Sequence, residues 1–142
     1  DMGAAGIVAP FVNTPEEAKV GADACRYPPL GTRGWGPDRA AGYGLQSQEY
    51  TTSSDQEVMF VPIIESAQAI ENIEGILGAE GVDSCIVGPV DLSISIGTPF
   101  DYQSRPFQQA LDAVLEAARR IGKPAGIGVY ETVRQRRRRG HP

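Results

Sequence analysis

Two acids stand at the ends of two apolar runs, and that placement is the first sign of chemistry in the chain. Val58-Met59-Phe60-Val61-Pro62-Ile63-Ile64 is rich in β-branched residues and leads straight into Glu65. Ile86-Val87 suits a buried strand, is stopped by Gly88-Pro89, and is followed through Val90 by Asp91, Leu92 and Ser93. Parallel α/β sheets gather their ligands at the carboxyl edge of the strands. Glu65 and Asp91 are therefore candidate ligands for one hard divalent cation, which prefers carboxylate oxygens. Residue types alone also admit a plainer reading, with Glu65 as an acid at a helix N-terminus and Asp91 as a turn or capping residue. Without further support that plainer reading stands first.

The elements that must position these acids follow from periodicity. Gly6-Ile7-Val8-Ala9-Pro10-Phe11-Val12 predicts a first buried strand. Thr14-Pro15-Glu16-Glu17 then carries a capping box with proline at the first helical position, and the helix is expected to run to about Cys25 on a thin apolar stripe. The proline- and glycine-rich stretch from Arg26 to Pro37 can be neither helix nor central strand. It predicts a long loop to about Asp55, with one helical turn near Gln46 to Tyr50. A helix is expected from Ser66 to Leu77 with Gly78 as its stop, and a third strand from Val82 to Val87. Ser104-Arg105-Pro106 opens a helix whose Leu111, Val114, Leu115, Ala118 and Ile121 form a core-facing stripe, and residues 125–130 form a fourth apolar run. The order βαβαβαβ implies an α/β fold with a parallel sheet of about four βα units, read as part of a (β/α)8 TIM barrel. Such a sheet leaves two unpaired edges, so the isolated chain is expected to self-associate or fold poorly.

Composition narrows the function. The 142 residues are 41% hydrophobic, enough for one domain with a real core, and hold no apolar run of the roughly 20 residues that span a bilayer. Five of the eleven arginines lie between Arg134 and Arg139, so residues 1–133 carry 8 basic against 18 acidic groups. That acidic body argues against nucleic acid or membrane as a partner. Residues 134–142 read as a basic, disordered tail outside the domain of residues 1–133. Cys25 and Cys85 belong to no CxxC pair and read as buried thiols in a reducing compartment, which points to the cytoplasm.

Taken together, the motifs carry a resemblance. Residues 3–18, Arg26-Tyr27-Pro28-Pro29 with Gly31-Thr32-Arg33-Gly34, Ile64-Glu65, and Gly88-Pro89-Val90-Asp91-Leu92-Ser93 occur in the order found in the HpcH/HpaI family of metal-dependent pyruvate aldolases. The resemblance covers residues 3 to about 130. It implies a class II aldolase that splits a hydroxy-oxo acid into pyruvate and an aldehyde. It also implies Glu65 and Asp91 as ligands of Mg or Mn, with Pro89, Val90 and Arg33 near the substrate. The full-length relatives imply a homo-oligomer acting on small molecules.

The same resemblance places the catalytic histidine and arginine of the family upstream of residue 1. It finds no match for His141, and Ile63 stands where many members have glutamine. A chain with no histidine in residues 1–133 is therefore expected to cleave slowly or not at all. The competing readings are a non-catalytic metal-binding or assembly module, and an enzyme like the citrate-lyase β-subunit or malyl-CoA lyase.

Overall fold

The computed structural model describes residues 2–129; Tyr130, the arginine-rich tail and His141 lie outside the described residues. Four strands, β1 (Gly6–Ala9), β2 (Met59–Ile64), β3 (Cys85–Val87) and β4 (Ala125–Ile127), form one parallel sheet in the order β1-β2-β3-β4. Gly6 to Ala9 pair with Met59 to Pro62, Ile63 and Ile64 with Ile86 and Val87, and Cys85 to Val87 with Ala125 to Ile127. The expected parallel α/β sheet of four βα units is present. The crossovers are built from α1 (Pro15–Asp23), α2 (Ser47–Glu57), α3 (Ala67–Glu71), α4 (Ile73–Gly78), α5 (Pro89–Ser95) and α6 (Arg105–Ile121).

Helix α1 starts as its sequence dictates. Thr14 is extended and accepts a hydrogen bond from the Glu17 N–H, the Glu17 carboxylate reaches back to the Thr14 N–H, and Pro15 fills the first turn. Its thin stripe of Ala18 and Ala22 lets the helix lie close to the sheet: a Cβ on Gly21 would sit 2.2 Å from Phe60 Cζ. Helix α6 ends at Gly122 in the left-handed region with φ 78°. Phe107, Ala110, Val114, Ala117 and Ala118 face the core, whereas Leu115, expected there, is 44% exposed. The buried cluster runs from Val12, Ala18 and Ala22 through Phe60, Ile64, Ile76 and Leu77 to Leu92, Phe107 and Val114. It lies between the sheet and α1, α4 and α6.

Several expectations need correction. The first strand ends at Ala9, because Phe11 turns the chain with φ 52°, and as an edge strand it leaves Ile7 and Val8 about half exposed. Residues 47–57, expected as loop beyond one turn, form the eleven-residue helix α2. The helix expected from Ser66 to Leu77 breaks at Asn72, whose side-chain amide leaves the helix to donate to the Asn13 carbonyl. The third strand begins only at Cys85, since Asp83 is occupied in accepting the Phe60 N–H. Among the described residues no helix is long and apolar enough to cross a membrane.

Candidate functional site

Glu65 follows the last residue of β2 and is 6% exposed. Its Oε1 accepts the Phe11 N–H at 2.8 Å, a bond from the turn after β1 to the end of β2. Its Oε2 lies against the backbone of Gly88, where a Cβ would come within 2.7 Å. A side chain at position 88 would therefore displace Glu65, whereas the backbone φ of −89° is open to any residue. No cationic side chain among the described residues pairs with Glu65. A buried carboxylate without a counter-charge is costly, and a bound cation is one way to offset that cost.

Asp91 sits in the first turn of α5, the helix that begins directly after Gly88. It is exposed, and its carboxylate makes no hydrogen bond among the described residues. The plainer reading made it a turn or capping residue; it is instead a helical residue, with Gly88 as the N-cap and the buried Pro89 at the first helical position. The first intrahelical bond of α5 is Leu92 N–H to the Gly88 carbonyl, so the Val90 and Asp91 N–H groups remain at the open end of the helix. Ser93, fully buried, donates to the Val90 carbonyl at 2.7 Å and accepts the Phe100 N–H at 3.0 Å, tying α5 to the following loop. The Ser95 hydroxyl accepts the Ala67 N–H at the start of α3.

The turn bearing Phe11 is held by side chains that the sequence reading did not single out. Asn13 Nδ2 donates to the Phe11 carbonyl at 2.9 Å, and the Ser66 hydroxyl donates to Asn13 Oδ1. An Asn-Thr pair between a strand and a proline-started helix is the local signal that could have marked Asn13, because asparagine readily bonds to nearby backbone in turns.

Glu65 follows β2, and Pro89, Val90 and Asp91 follow β3, its neighbour, at the same carboxyl edge of the sheet; Arg33 stands elsewhere. Its loop returns to the end of α1 through Thr32 N–H to Asp23 O and Arg33 N–H to Arg26 O. It lines a cavity of about 420 Å³ with Ala4, Ile7, Cys25, Trp35 and Val58, at the amino ends of β1 and β2. There the guanidinium lies 4.5 Å from the ring centre of Tyr27 and 5.5 Å from that of Tyr50, and donates to the Tyr50 hydroxyl at 3.1 Å. Trp35 packs on both tyrosines, the contact expected of a structural residue.

Both cysteines are buried and free, and burial pushes the Cys85 thiol up to about 11. Desolvation also raises Cys25, partly opposed by the charges of Arg26 and Arg33. Neither thiol is prepared for nucleophilic work. No group of three or more His, Cys, Asp or Glu side chains is assembled for a metal among the described residues. The carboxylates at this edge, Glu65 and Asp91, could hold a cation only with water or substrate oxygens completing its shell. The all-oxygen donor set suits a hard divalent ion that keeps waters.

The HpcH/HpaI aldolase/citrate lyase model matches residues 1–139. A 4-hydroxy-4-methyl-2-oxoglutarate aldolase of Chaetomium globosum is 39% identical over 136 residues, which are 92% of this chain and 50% of that protein. A 2-keto-3-deoxy-L-rhamnonate aldolase of Klebsiella pneumoniae is 37% identical over 129 residues, 89% of this chain and 48% of the relative. The crystal structure of a family protein from Burkholderia cenocepacia superposes with a TM-score of 0.85 at 31% identity, over 96% of this chain and 55% of that one. The chain spans about half the length of the curated relatives it matches, and its four-stranded sheet is part of a (β/α)8 barrel. With the family's motifs standing in order on that sheet, the chain belongs to the HpcH/HpaI aldolase/citrate lyase family.

Proposed function

We propose that this chain carries the metal- and pyruvate-binding part of a class II pyruvate aldolase, a carbon–carbon lyase that splits a hydroxy-oxo acid into pyruvate and an aldehyde. The observation that carries the reading is Glu65, buried at the carboxyl edge of β2 with no cationic partner among the described residues and packed against Gly88, the N-cap of the helix that bears Asp91. The names of the aldolase relatives support the same reaction class.

Glu65 and Asp91 would hold the cation, Mg or Mn, which when bound acts as a Lewis acid toward the keto and carboxylate oxygens of pyruvate. Glu65 contributes a carboxylate whose orientation is fixed on one side by the Phe11 N–H and limited on the other by the Gly88 backbone. Asp91 contributes an exposed carboxylate that makes no hydrogen bond among the described residues. Pro89 has no N–H, so the backbone donors available to a substrate carboxylate at this edge are those of Val90 and Asp91. Ser93 keeps that turn in place from beneath. Residues 1–133 hold no histidine, and in this reading the proton transfer of the cleavage step is the work of a group outside them.

The test is whether the chain brings pyruvate to the bound ion. Mn2+ with the chain should broaden the methyl proton resonance of pyruvate well beyond the effect of free Mn2+, and Glu65→Gln should abolish the difference. Equal broadening with and without the chain would remove the reading.

A further inference from the structure

We infer that Asn13 is a positioning residue, whose side-chain amide holds the turn after β1 so that the Phe11 N–H stays against Glu65 Oε1 and fixes how Glu65 presents its other oxygen. The inference rests on the reading of Glu65 as a metal ligand and adds a residue that acts on it through the backbone.

Asn13 closes a ring. Glu65 Oε1 accepts the Phe11 N–H at 2.8 Å, the Phe11 carbonyl accepts Asn13 Nδ2 at 2.9 Å, Asn13 Oδ1 accepts the Ser66 hydroxyl, and Ser66 is bonded to Glu65. The polarity of each link is forced. A carbonyl can only accept, so the atom facing Phe11 must be the NH2 of the amide. The Ser66 oxygen already accepts the Ala69 N–H at 3.0 Å as the cap of α3, so its proton is available to Asn13 Oδ1.

Only a side chain with both a donor and an acceptor in a short, planar group can complete both links. Asn13 is anchored independently at its backbone, its N–H donating to Glu17 Oε2 at 2.7 Å and its carbonyl accepting Asn72 Nδ2 at 2.9 Å. The amide is therefore presented to Phe11 and Ser66 from a fixed base. Phe11 needs this support. Its φ of 52° is a left-handed conformation that a phenylalanine adopts only when its surroundings impose it, and the residue is 60% exposed, so packing of its side chain does not impose it. Partners that orient a metal ligand in this way typically affect affinity as well as geometry.

Asn13→Asp keeps size and the acceptor for Ser66 but sets a carboxylate oxygen against the Phe11 carbonyl, so it breaks the ring at one link. In the 15N-labelled 142-residue chain, the Phe11 amide should lose its hydrogen-bonded shift and its slow exchange in this variant. Mn2+ affinity should fall by about 10- to 100-fold. In a Glu65→Gln background the same substitution should change Mn2+ affinity little further, which a general loosening of the fold would not reproduce. Asn13→Ala gives the same readings if the first variant does not fold. An unchanged Phe11 amide in the folded variants, or an unchanged Mn2+ affinity once that amide is released, overturns the role of Asn13. A wild-type chain that binds no Mn2+ defeats the metal reading instead, and the Phe11 amide alone then decides whether Asn13 positions Glu65.

Discussion

Gly88→Ala tests the packing of the candidate site with a single methyl group. The new Cβ would stand 2.7 Å from Glu65 Oε2, 3.0 Å from Glu65 Cβ and 3.1 Å from Ile63 Cγ2. Gly88 has φ −89° and ψ 93°, which alanine adopts freely, so the backbone is not strained and the whole effect falls on those neighbours. Glu65 is buried and tied to the Phe11 N–H, so it cannot swing into solvent without losing that bond. The carboxylate must move by several tenths of an ångström, a large fraction of the tolerance of a magnesium site whose bonds are about 2.0–2.1 Å long.

Overpacking of this kind costs about 1–3 kcal/mol of stability, and displacement of a ligand should weaken Mn2+ binding by about 10- to 100-fold. Two controls separate the effects. Gly21→Ala drives a Cβ into the buried Phe60 ring far from the site and should lower stability while leaving Mn2+ affinity alone in the folded fraction. Gly34→Ala meets nothing within 4 Å and should change neither. Thermal melts and Mn2+ titrations followed by electron paramagnetic resonance read both quantities. A Gly88→Ala chain with wild-type stability and wild-type Mn2+ affinity would refute the packing of Glu65 described here.

Three further outcomes are expected. The Cys85 thiol is raised from 9.0 to about 11 in the folded chain, so the unfolded chain ionises first. The associated stability is intact below pH 9 and falls by about 3 kcal/mol in all as pH rises toward 11, read from urea melts across that range and absent in Cys85→Ala. Thr14→Ala removes the cap of α1 and should cost about 1 kcal/mol, a fall of about 3 °C in Tm, with Mn2+ affinity unchanged in the folded chain. Arg33→Ala opens the stack on Tyr27 and Tyr50 and should lower stability by about 1–2 kcal/mol. Because Arg33 lies at the amino edge, Mn2+ affinity should stay at the wild-type value, and a large loss would bring Arg33 back to the site.

What the sequence made legible were the features decided locally. The Thr14 to Glu17 capping box and the apolar run before Glu65 each act within a few residues and appear as read, and the shorter run Ile86-Val87 before Asp91 is a strand. Helix α2 was hidden because Ser47–Glu57 has no apolar period. It is held from outside its own sequence, with Asp55 accepting the Tyr27 N–H and Tyr50 meeting Arg33. The break at Asn72 was hidden for the same reason, its partner being Asn13, far away in the chain. Within the site, Glu65 and Asp91 were visible as acids at strand ends, whereas the grip of Phe11 and Gly88 on Glu65 depends on how β1, β2 and β3 abut. That Arg33 stands at the amino edge was not legible, because a motif's order along the chain does not tell which edge of the sheet its loop occupies.

The central claim is that Glu65 and Asp91 share one divalent cation, and a Mn2+ titration of the 142-residue chain tests it most directly. One bound Mn2+ per chain is predicted, with Glu65→Gln and Asp91→Asn each weakening it by at least about tenfold, and with both together costing less than the sum of the two separate losses in binding free energy. Binding that survives both substitutions, or no binding by the folded wild-type chain, would contradict the account.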